Sequence, residues 1–416
     1  IATNILAPMT RRALQGGSLQ PSPCRALFSM SQPTRESRPN HGPVPGLVLL
    51  GCVGFSPASV VAVGRDFLPS RAVLIATRKS QAQLAAVTRQ LEVPVEAVIL
   101  DGDGMEPIAS LQLKIARALK MAPHESIVLD LTGGTKIMTA ATYEAARQLR
   151  ADKVKVVYLT PDGTIIDATD GMARDSSARL EISEVLEWQG AAISKREWSG
   201  PLSAVPKSVT QRAALGRFLL NAYGEKRARI ETASNAITIS RKPWLTALPP
   251  GFSEMGNGRI KSTIPGYFSH NRWLEELCLH QATIALDNCS ITRVAAGLHI
   301  FSGEHKGNDE ADVVLLRGTQ VCVIEAKARL DSKGAGADLM KRMQKTRRFF
   351  GVMAKTVFVH PAWGPSPPPA LVEITGDKGI LVGARLKDID TAIREALSIR
   401  TDFATTSASI RDDEAA

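Results

Sequence analysis

The sequence predicts an α/β protein of two domains, the first of which is built on a mostly parallel, doubly wound sheet. Short apolar runs of strand length alternate with amphipathic helical patterns, and this alternation is typical of βαβ units. The chain has 416 residues, which is room for two domains and a linker, and its hydrophobic fraction of 44% is ample for buried cores.

The first predicted domain covers residues 46–167 and follows a segment, 1–45, that we expect to be disordered. That segment is rich in Pro, Ser, Arg and Gln and has no hydrophobic period. Within the domain, apolar runs predict strands at 46–54, 71–77, 95–100 and 153–159, a strand that enters a glycine-rich turn at 126–136, and a last short strand after 161–163. Helical spacing predicts helices at 57–68, 80–92, 106–120 and 137–150.

The glycine-rich turn is the most informative loop of this half. It consists of Thr132, Gly133, Gly134, Thr135 and Lys136. Paired glycines let a ligand approach the backbone, the start of the following helix offers free N–H groups, and Lys136 adds a full positive charge. An anion can sit there, although a tight turn that binds nothing is the alternative. The upstream glycine of a Walker A loop is missing, and the absence of GxGxxG disfavours a nicotinamide cofactor.

Two more loops lie at the same predicted edge of the sheet. The first follows the opening strand and contains Phe55 and Ser56, and the second follows the next strand and contains Thr77 and Arg78. Ligands of doubly wound sheets bind beyond the carboxyl ends of the strands, so these four residues are candidates for ligand contact by their position alone.

Residues 168–265 are predicted to connect the two domains. Gly, Pro and Ser interrupt this stretch, and Arg and Lys recur in it. Helical spacing at 208–222 and a weak hairpin pattern at 228–240 suggest a small winged-helix-like insert. Its basic residues can contact phosphates, although a solvated surface is the simpler explanation.

The second domain is predicted over residues 266–400, with a frayed tail at 401–416. An amphipathic helix begins near residue 271 and carries Glu275 in its first turn, where a carboxylate can also serve only the helix dipole. A strand at 291–301 follows. Further along the chain we predict a helix at 338–349, a strand at 355–361, and a short strand and a final helix within 379–395.

The stretch 308–327 is the centre of this second domain. Two β-branched runs flank a Gly-Thr turn, which predicts a hairpin. Because side chains alternate faces along a strand, Glu325 and Lys327 share one face, and Asp312 opens the partner strand near them. Glu310 lies one strand period before Asp312. Such a group can hold a divalent cation or stabilise charge on a phosphate, and an ordinary cross-strand ion pair is the alternative.

Asp312, twelve further residues and Glu325-x-Lys327 form the core pattern of a PD-(D/E)xK nuclease site. The pattern is loose, but it is supported here by the hairpin, by Glu310, by Glu275 on the preceding helix and by a basic helix after it. Asp312 and Glu325 would bind Mg²⁺ or Mn²⁺ through oxygen, and Lys327 would orient the attacking water or stabilise transition-state charge.

A second nuclease signature is the R-x(5)-H spacing of Arg293 and His299, which is similar to that of metal-independent HEPN ribonucleases. That motif needs a helix, whereas the β-branched residues and Gly297 favour a strand over 291–301. We therefore disfavour this interpretation.

Composition narrows the partners and the compartment. A net charge of +10 and a pI near 9.5 favour nucleic acid or another polyanion as partner, although solvated surface lysines are a common alternative explanation of such a charge. The five cysteines form no CxxC pair and the seven histidines do not cluster, which disfavours a disulfide framework and a zinc site and fits the cytoplasm. Because no apolar run approaches the roughly 20 residues of a membrane span, no membrane partner is expected.

Two sets of motifs together resemble a known family. LDLTGGTKIM at 129–138 resembles the signature of CARF domains, the CRISPR-associated Rossmann folds. WLE at 273–275, the 308–327 stretch and KRMQKTRRFFGVMAKTVFV at 341–359 resemble the PD-(D/E)xK half of single-CARF CRISPR ancillary nucleases. The resemblance implies an N-terminal Rossmann-like CARF domain and a C-terminal restriction-endonuclease-like PD-(D/E)xK domain.

The resemblance also implies an endonuclease switched on by cyclic oligoadenylate from type III CRISPR complexes, with cyclic tetra-adenylate the commonest activator. It implies a homodimer that binds the activator across paired CARF domains, Mn²⁺ or Mg²⁺ as cofactor, and cleavage of single-stranded DNA, RNA or both, or nicking of duplex DNA. The matching ligand-binding positions are Thr132, Gly133, Gly134, Thr135, Lys136 and Met138. The matching nuclease positions are Glu275, Glu310, Asp312, Glu325 and Lys327, with Lys341 in the place of a basic residue that contacts nucleic acid.

The match has two departures. Ala326 stands where a cysteine is frequent, and Asn308 is one residue further from Glu310 than usual. Ala326 is harmless because it points away from the site, whereas the shift puts a role for Asn308 in doubt. Two other functions stay open, namely a catalytically silent CARF regulator that binds oligoadenylate and nucleic acid, and an activator-independent DNA repair nuclease.

Overall fold

The computed structural model describes most of the chain between residues 42 and 398. The described residues are 42–54, 57–101, 107–120, 125–150, 152–231, 234–240, 248–286, 292–302, 305–328, 335–351, 353–363, 367–376, 379–383 and 385–398. The segment up to residue 41 and the tail from 399 lie outside them, as do Phe55 and Ser56. No helix within these ranges is both long and apolar enough to cross a lipid bilayer.

The first sheet has seven strands, of which the first five are parallel, as the βαβ pattern predicts. They are β1 (Val44–Val53), β2 (Pro69–Thr77), β3 (Val95–Leu100), β4 (Ser126–Asp130), β5 (Val154–Leu159), β6 (Thr164–Asp167) and β7 (Ala173–Asp175). Their order in space is β3-β2-β1-β4-β5-β6-β7, with β6 and β7 added antiparallel at one edge. The sheet therefore continues past the predicted boundary at 167.

Four helices cover the two faces of this sheet, which is the predicted doubly wound arrangement. They are α1 (Ala58–Phe67), α2 (Gln81–Leu91), α3 (Ile108–Leu119) and α4 (Lys136–Arg150). Leu49 packs with α1 and α2, whereas the next residue, Leu50, packs with α3 and α4, because successive strand side chains point to opposite faces. The strand order reverses between β1 and β4, so the turn after β4 lies at the switch point of the sheet.

The predicted connector, 168–265, is distributed over three parts of the fold. It contains β7, α5 (Ile182–Trp188), β8 (Ala191–Lys195), β9 (Trp198–Pro201), α6 (Lys207–Gly224), β10 (Ala228–Glu231), β11 (Ala236–Ile239), β12 (Phe252–Glu254) and β13 (Arg259–Ser262). The helix α6 and the hairpin of β10 and β11 match the sequence pattern. The last four strands form an antiparallel sheet of order β10-β11-β13-β12, so the described residues have one long helix beside four strands where a winged-helix-like insert was considered.

The third sheet combines connector strands with the second predicted domain. Its remaining strands are β14 (Thr292–Ser302), β15 (His305–Arg317), β16 (Gln320–Ala326), β17 (Lys355–Val359) and β18 (Gly379–Val382), in the order β18-β17-β16-β15-β14-β8 with β9 also paired to β14. The helices around it are α7 (Arg272–Ala285), α8 (Ala335–Phe350), α9 (Pro369–Thr375) and α10 (Leu386–Ala396). Because β14 holds both Arg293 and His299, the helix that a HEPN site requires is not formed there.

One hydrophobic core joins the first and third sheets through α5. Trp188 of α5 is buried in it, and its indole N–H donates to the side-chain oxygen of Gln90 at 2.7 Å. Val314 and Phe349 line the same core from the third sheet. A second core lies between the opposite face of the third sheet and the helices α6, α7 and α10. Since each fully buried Val or Leu contributes roughly 1.5–3 kcal/mol, the shared core fixes the two sheets against each other.

Candidate functional site

The hairpin of β15 and β16 places two carboxylates face to face. Its pairing runs in register to Val313 opposite Ile324, and one further step sets Asp312 opposite Glu325. Both acids are buried, with 2% and 1% of their surface exposed. Like charges that face each other across antiparallel strands are destabilising, so this arrangement needs positive charge nearby. The predicted hairpin is confirmed by this register.

Lys327 supplies the first compensating charge. Its ammonium group donates to both carboxylate oxygens of Asp312, at 3.1 and 2.9 Å. The backbone N–H of Ala326 donates to the same carboxylate at 2.8 Å, while the Ala326 side chain is buried in the opposite core. The predicted partner of Lys327 in a simple ion pair was Glu325, whereas the structure gives it Asp312.

Helix α8 supplies two more cations that the sequence interpretation missed. The Arg342 guanidinium binds the Glu325 carboxylate and also donates to Asp338 at 2.9 Å. The Lys345 ammonium lies 3.7 Å from the other oxygen of Glu325. Lys341, which we predicted as the nucleic-acid contact, is exposed one position before Arg342. The i, i+3 spacing of Arg342 and Lys345 indicates that both lie on one face of α8. The sequence does not show which face of α8 packs against β16, so this spacing alone could not assign them to Glu325.

Burial and the neighbouring charges raise the pKa of two acids in this group, Glu325 and Glu275. Burial raises the pKa of Glu325, the Asp312 charge raises it further, and the Lys345, Arg342 and Lys327 charges oppose this. Burial and then the Asp312 charge raise the pKa of Glu275 well above its usual value, which places Glu275 within the same electrostatic field. Burial lowers the pKa of Lys327, but Asp312 and Glu325 raise it by more, so its amine stays protonated.

The donor set suits a hard divalent cation in part. One buried carboxylate oxygen of Glu325, Oε1, has no hydrogen-bond partner, and an oxygen in that state is a natural cation ligand. Mg²⁺ is often held by one or two carboxylates and completes its shell with water and phosphate, so Asp312 and Glu325 fit it. Across the described ranges, no group of three or more His, Cys, Asp or Glu side chains is arranged to hold a metal. Glu275 lies in the electrostatic field of this pair, and Glu310 is largely exposed, with its carboxylate 3.9 Å from the His299 imidazole.

The glycine-rich turn after β4 is a separate, tightly packed structure. The Asp130 carboxylate accepts the Thr132 N–H at 2.8 Å, which fixes the start of the turn. A Cβ on Gly133 would lie 2.2 Å from the Cys52 carbonyl oxygen, and Gly134 has φ +79°, so both positions require glycine. The backbone after β4 thus closes against the end of β1.

A cavity of about 510 Å³ opens beside this turn. It is lined by Leu131, Thr132, Gly134, Lys136, Thr139, Ala140, Tyr143 and Tyr158. Three of these residues were predicted from the sequence, whereas the two tyrosines were missed. Tyr158 is an exposed aromatic near the carboxyl end of β5, and that position was the signal for it.

Residues 64–186 match the Card1 CARF domain. The chain contains a CARF domain. The match spans β2 to β7 and includes the glycine-rich turn and its cavity. No curated protein matches the sequence.

Solved structures with a similar fold cover most of the chain. Protein VC1899 from Vibrio cholerae gives a TM-score of 0.62 at 15% identity, over 85% of this chain and 98% of that one. Can2 from Sulfobacillus thermosulfidooxidans, in complex with cyclic tetra-adenylate, gives a TM-score of 0.56 at 16% identity, over 84% of this chain and 97% of that one. A type III CRISPR defence DNA nuclease activated by cyclic oligoadenylate gives 0.51 at 18%, over 79% of this chain and 48% of that one. At these identities the similarity shows a common fold.

Among the described residues, the other candidate ligand residues of the CARF domain do not belong to the cavity lining. The Met138 side chain is buried in the core under α4, and the Thr135 hydroxyl accepts the Met138 N–H at 3.3 Å at the start of that helix. Thr77 and Ser80 bond each other at the next loop, and Arg78 is exposed and pairs with Asp101 at 2.9 Å. The candidates Phe55 and Ser56 lie outside the described residues.

Proposed function

We propose that the protein is an endonuclease, dependent on Mn²⁺ or Mg²⁺, that cyclic oligoadenylate activates in type III CRISPR defence. The observation that carries the proposal is the buried pair of Asp312 and Glu325, with Lys327 on the same face, in a chain that also contains a CARF domain. Its substrate is single-stranded DNA, RNA or both, or duplex DNA that it nicks. The fold shared with Can2 and with an oligoadenylate-activated DNA nuclease supports this assignment.

In this proposal Asp312 and Glu325 hold the metal ion, and Glu275 strengthens the negative field around them. A bound Mn²⁺ or Mg²⁺ would polarise the phosphate and make bound water more acidic. Lys327 fixes the orientation of Asp312 and presents a positive charge beside the scissile phosphate. Arg342 on α8 extends this positive face toward the entering strand, with the exposed Lys341 beside it.

The cavity of the CARF domain is the proposed activator site. A cyclic oligoadenylate presents one phosphate per nucleotide and flat bases, and the cavity is lined by Lys136 at a helix start and by Tyr143 and Tyr158. Cyclic tetra-adenylate has a two-fold axis, and a homodimer with the same symmetry would bring two such cavities to one ring. We therefore propose a homodimer as the binding species.

The test is cleavage of labelled single-stranded DNA, labelled single-stranded RNA and supercoiled plasmid DNA by the full chain, with and without cyclic tetra-adenylate and with Mn²⁺, Mg²⁺ or EDTA. We expect product only when both the activator and a metal are present. Equal cleavage without activator would instead identify a repair nuclease.

A catalytically silent CARF regulator is the second candidate. It is favoured by the ion pair of Arg342 with Glu325, which already neutralises one of the two carboxylates. In the same assay, tight binding of cyclic tetra-adenylate without cleavage of any substrate would establish this function.

A further inference from the structure

The turn of the β15–β16 hairpin, residues 317–320, rests on the turn between β5 and β6 of the CARF domain, residues 160–163. Thr319 donates its backbone N–H to the Pro161 carbonyl oxygen at 3.2 Å, and its hydroxyl lies 3.3 Å from the same oxygen. Gly318 has φ +57°, and a Cβ there would lie 2.7 Å from the backbone of the CARF turn. The two turns are therefore in direct backbone contact.

The strand end just before the CARF turn is hydrogen-bonded to a residue that lines the ligand cavity. The Leu159 N–H donates to the Thr132 hydroxyl at 2.7 Å, and Thr132 lines the cavity. Tyr158, the residue before Leu159, lines the cavity as well. Within the turn, the Thr160 hydroxyl donates to the Thr164 carbonyl and accepts the Thr164 N–H, each at 2.9 Å. One short, internally bonded segment thus touches both the cavity and the hairpin.

The hairpin connects this contact to the carboxylates without an intervening loop. Its pairing is continuous from the turn to Val313 and Ile324, with no shift in register. Arg317 is five residue steps from Asp312, which is about 17 Å at roughly 3.4 Å per residue. A displacement of the turn is therefore carried along paired strands to the acidic residues.

The connector makes a different bridge. Arg65 of α1 binds Glu184 of α5. Glu181, which directly precedes α5, pairs with Arg293 of β14 at 2.9 Å. Arg65 does not belong to the residues that line the cavity. This bridge holds the CARF domain to the third sheet, but it has no contact with the activator site.

We propose that the contact of the two turns transmits activator binding to the nuclease site, and that Gly318 and Thr319 set the degree of activation as positioning residues. Activator that binds Thr132 and Tyr158 shifts the carboxyl end of β5. This shift displaces the CARF turn, which in turn displaces the hairpin that contacts it. The proposal rests on the proposed function, because it couples the two sites named there. By linkage, the state of the hairpin also alters the affinity of the cavity.

The test is hydrogen exchange of the full chain with and without cyclic tetra-adenylate, read by mass spectrometry, together with cleavage rates. In the wild type we expect the activator to protect peptides of the cavity, 131–143, and to change exchange in the hairpin, 311–328. Gly318→Ala should keep the first response and lose the second, and activator-stimulated cleavage should fall by about tenfold. Cleavage without activator should stay unchanged.

Gly256→Ala is the matched control, because Gly256 also has a positive φ, +83°, but a Cβ there meets nothing within 4 Å. It should behave as the wild type in every measurement. Thr319→Val keeps the backbone hydrogen bond to Pro161 and removes only the hydroxyl, so it should give a smaller loss of the hairpin response and of stimulated cleavage. This second variant still tests the coupling if Gly318→Ala fails to fold. A wild-type hairpin response in Gly318→Ala, or no hairpin response in the wild type despite cavity protection, would overturn the coupling. Absence of cavity protection in the wild type would overturn the proposed activator and the coupling with it.

Discussion

Asp312 lies directly opposite Glu325 on neighbouring antiparallel strands, and each acid is held by a different cation. Lys327 binds Asp312 from the end of its own hairpin, whereas Arg342 binds Glu325 from α8. Loss of Lys327 would remove the cation that binds Asp312, and loss of Arg342 would leave Glu325 with Lys345 alone at 3.7 Å. Removing one partner of a buried pair typically costs about 3–5 kcal/mol, so isosteric amides are the appropriate substitutions for testing catalysis.

Asp312→Asn and Glu325→Gln should each abolish metal-dependent cleavage and leave the affinity for cyclic tetra-adenylate unchanged. An amide keeps the shape and loses the charge that binds a hard cation. The loss of cleavage rate should exceed about 100-fold, which is more than substitution of a residue outside the metal shell gives. Gel-based cleavage and calorimetric binding measure the two properties. Glu254→Gln, at an exposed position of β12, is the control, and an active Asp312→Asn variant would refute the site.

Arg342→Met should destabilise the metal-free protein and make it more responsive to Mn²⁺. The substitution leaves Glu325 buried without its main cation, and a bound metal then replaces the missing charge. Because the Arg342 side chain is partly exposed, the destabilisation should be about 1–3 kcal/mol, the cost of an unsatisfied buried group. Thermal unfolding with Mn²⁺ or EDTA measures this response. Lys341→Met removes an exposed charge one position away and should show the wild-type response; an equal gain in Tm for all three proteins would contradict the prediction.

Sequence patterns predicted those features that depend on local spacing. The alternation of strand residues placed Glu325 and Lys327 on one face, and the Gly-Thr turn set the hairpin that brings Asp312 near them. The role of Arg342 could not be predicted, because it depends on how α8 crosses β16. The partner of Lys327 was also open, since Glu325 lies two residues away at any register, whereas Asp312 comes near Lys327 only in the register that the hairpin adopts.

The division into domains was harder to predict for a similar reason. β8 and β9 lie in the apparent connector, yet they pair with β14, which follows about 100 residues later in the chain. Such pairing leaves no local signal beyond a short apolar run. The cavity tyrosines are another case, because Tyr143 and Tyr158 line one cavity only when α4 packs beside β5.

Lys136→Glu should weaken binding of cyclic tetra-adenylate by at least about tenfold, since a hydrogen bond to a charged group contributes about 1.5–3 kcal/mol. Lys136 lines the cavity at the start of α4, so reversal of its charge places a carboxylate against a phosphate. Titration calorimetry measures the Kd. Arg78→Glu is the matched control: Arg78 is an exposed cation at the same edge of the sheet, and it pairs with Asp101 outside the cavity. Unchanged affinity in Lys136→Glu, or an equal loss in Arg78→Glu, would contradict a role for Lys136 in the site.

Asp130→Asn should flatten the dependence of stability on pH. Burial raises the pKa of Asp130 in the folded protein, although bonds from Thr132 and Ser59 oppose this, and its Oδ2 atom is buried with no hydrogen-bond partner. The folded state then binds more protons than the unfolded state at pH values between the two pKa values. The contribution of Asp130 is fully present below the unfolded pKa of 3.8 and is lost as pH rises through the raised folded pKa. Each unit of difference in pKa corresponds to about 1.4 kcal/mol.

Urea unfolding of the wild type and of Asp130→Asn between pH 4 and pH 8 measures this difference. The wild type should lose free energy of unfolding, relative to the variant, as pH increases over this range, because only the wild type must ionise a buried carboxyl group. Asp170→Asn is the matched control, since Asp170 accepts the Met172 N–H at 2.8 Å in a similar turn but is exposed. The Asp170→Asn variant gives the baseline for removing an exposed turn carboxylate in the same measurement. A difference between the wild type and Asp130→Asn that is constant over the same range would show that Asp130 is already ionised in the folded turn, and the anion site would then have to accept a phosphate beside a fixed negative charge.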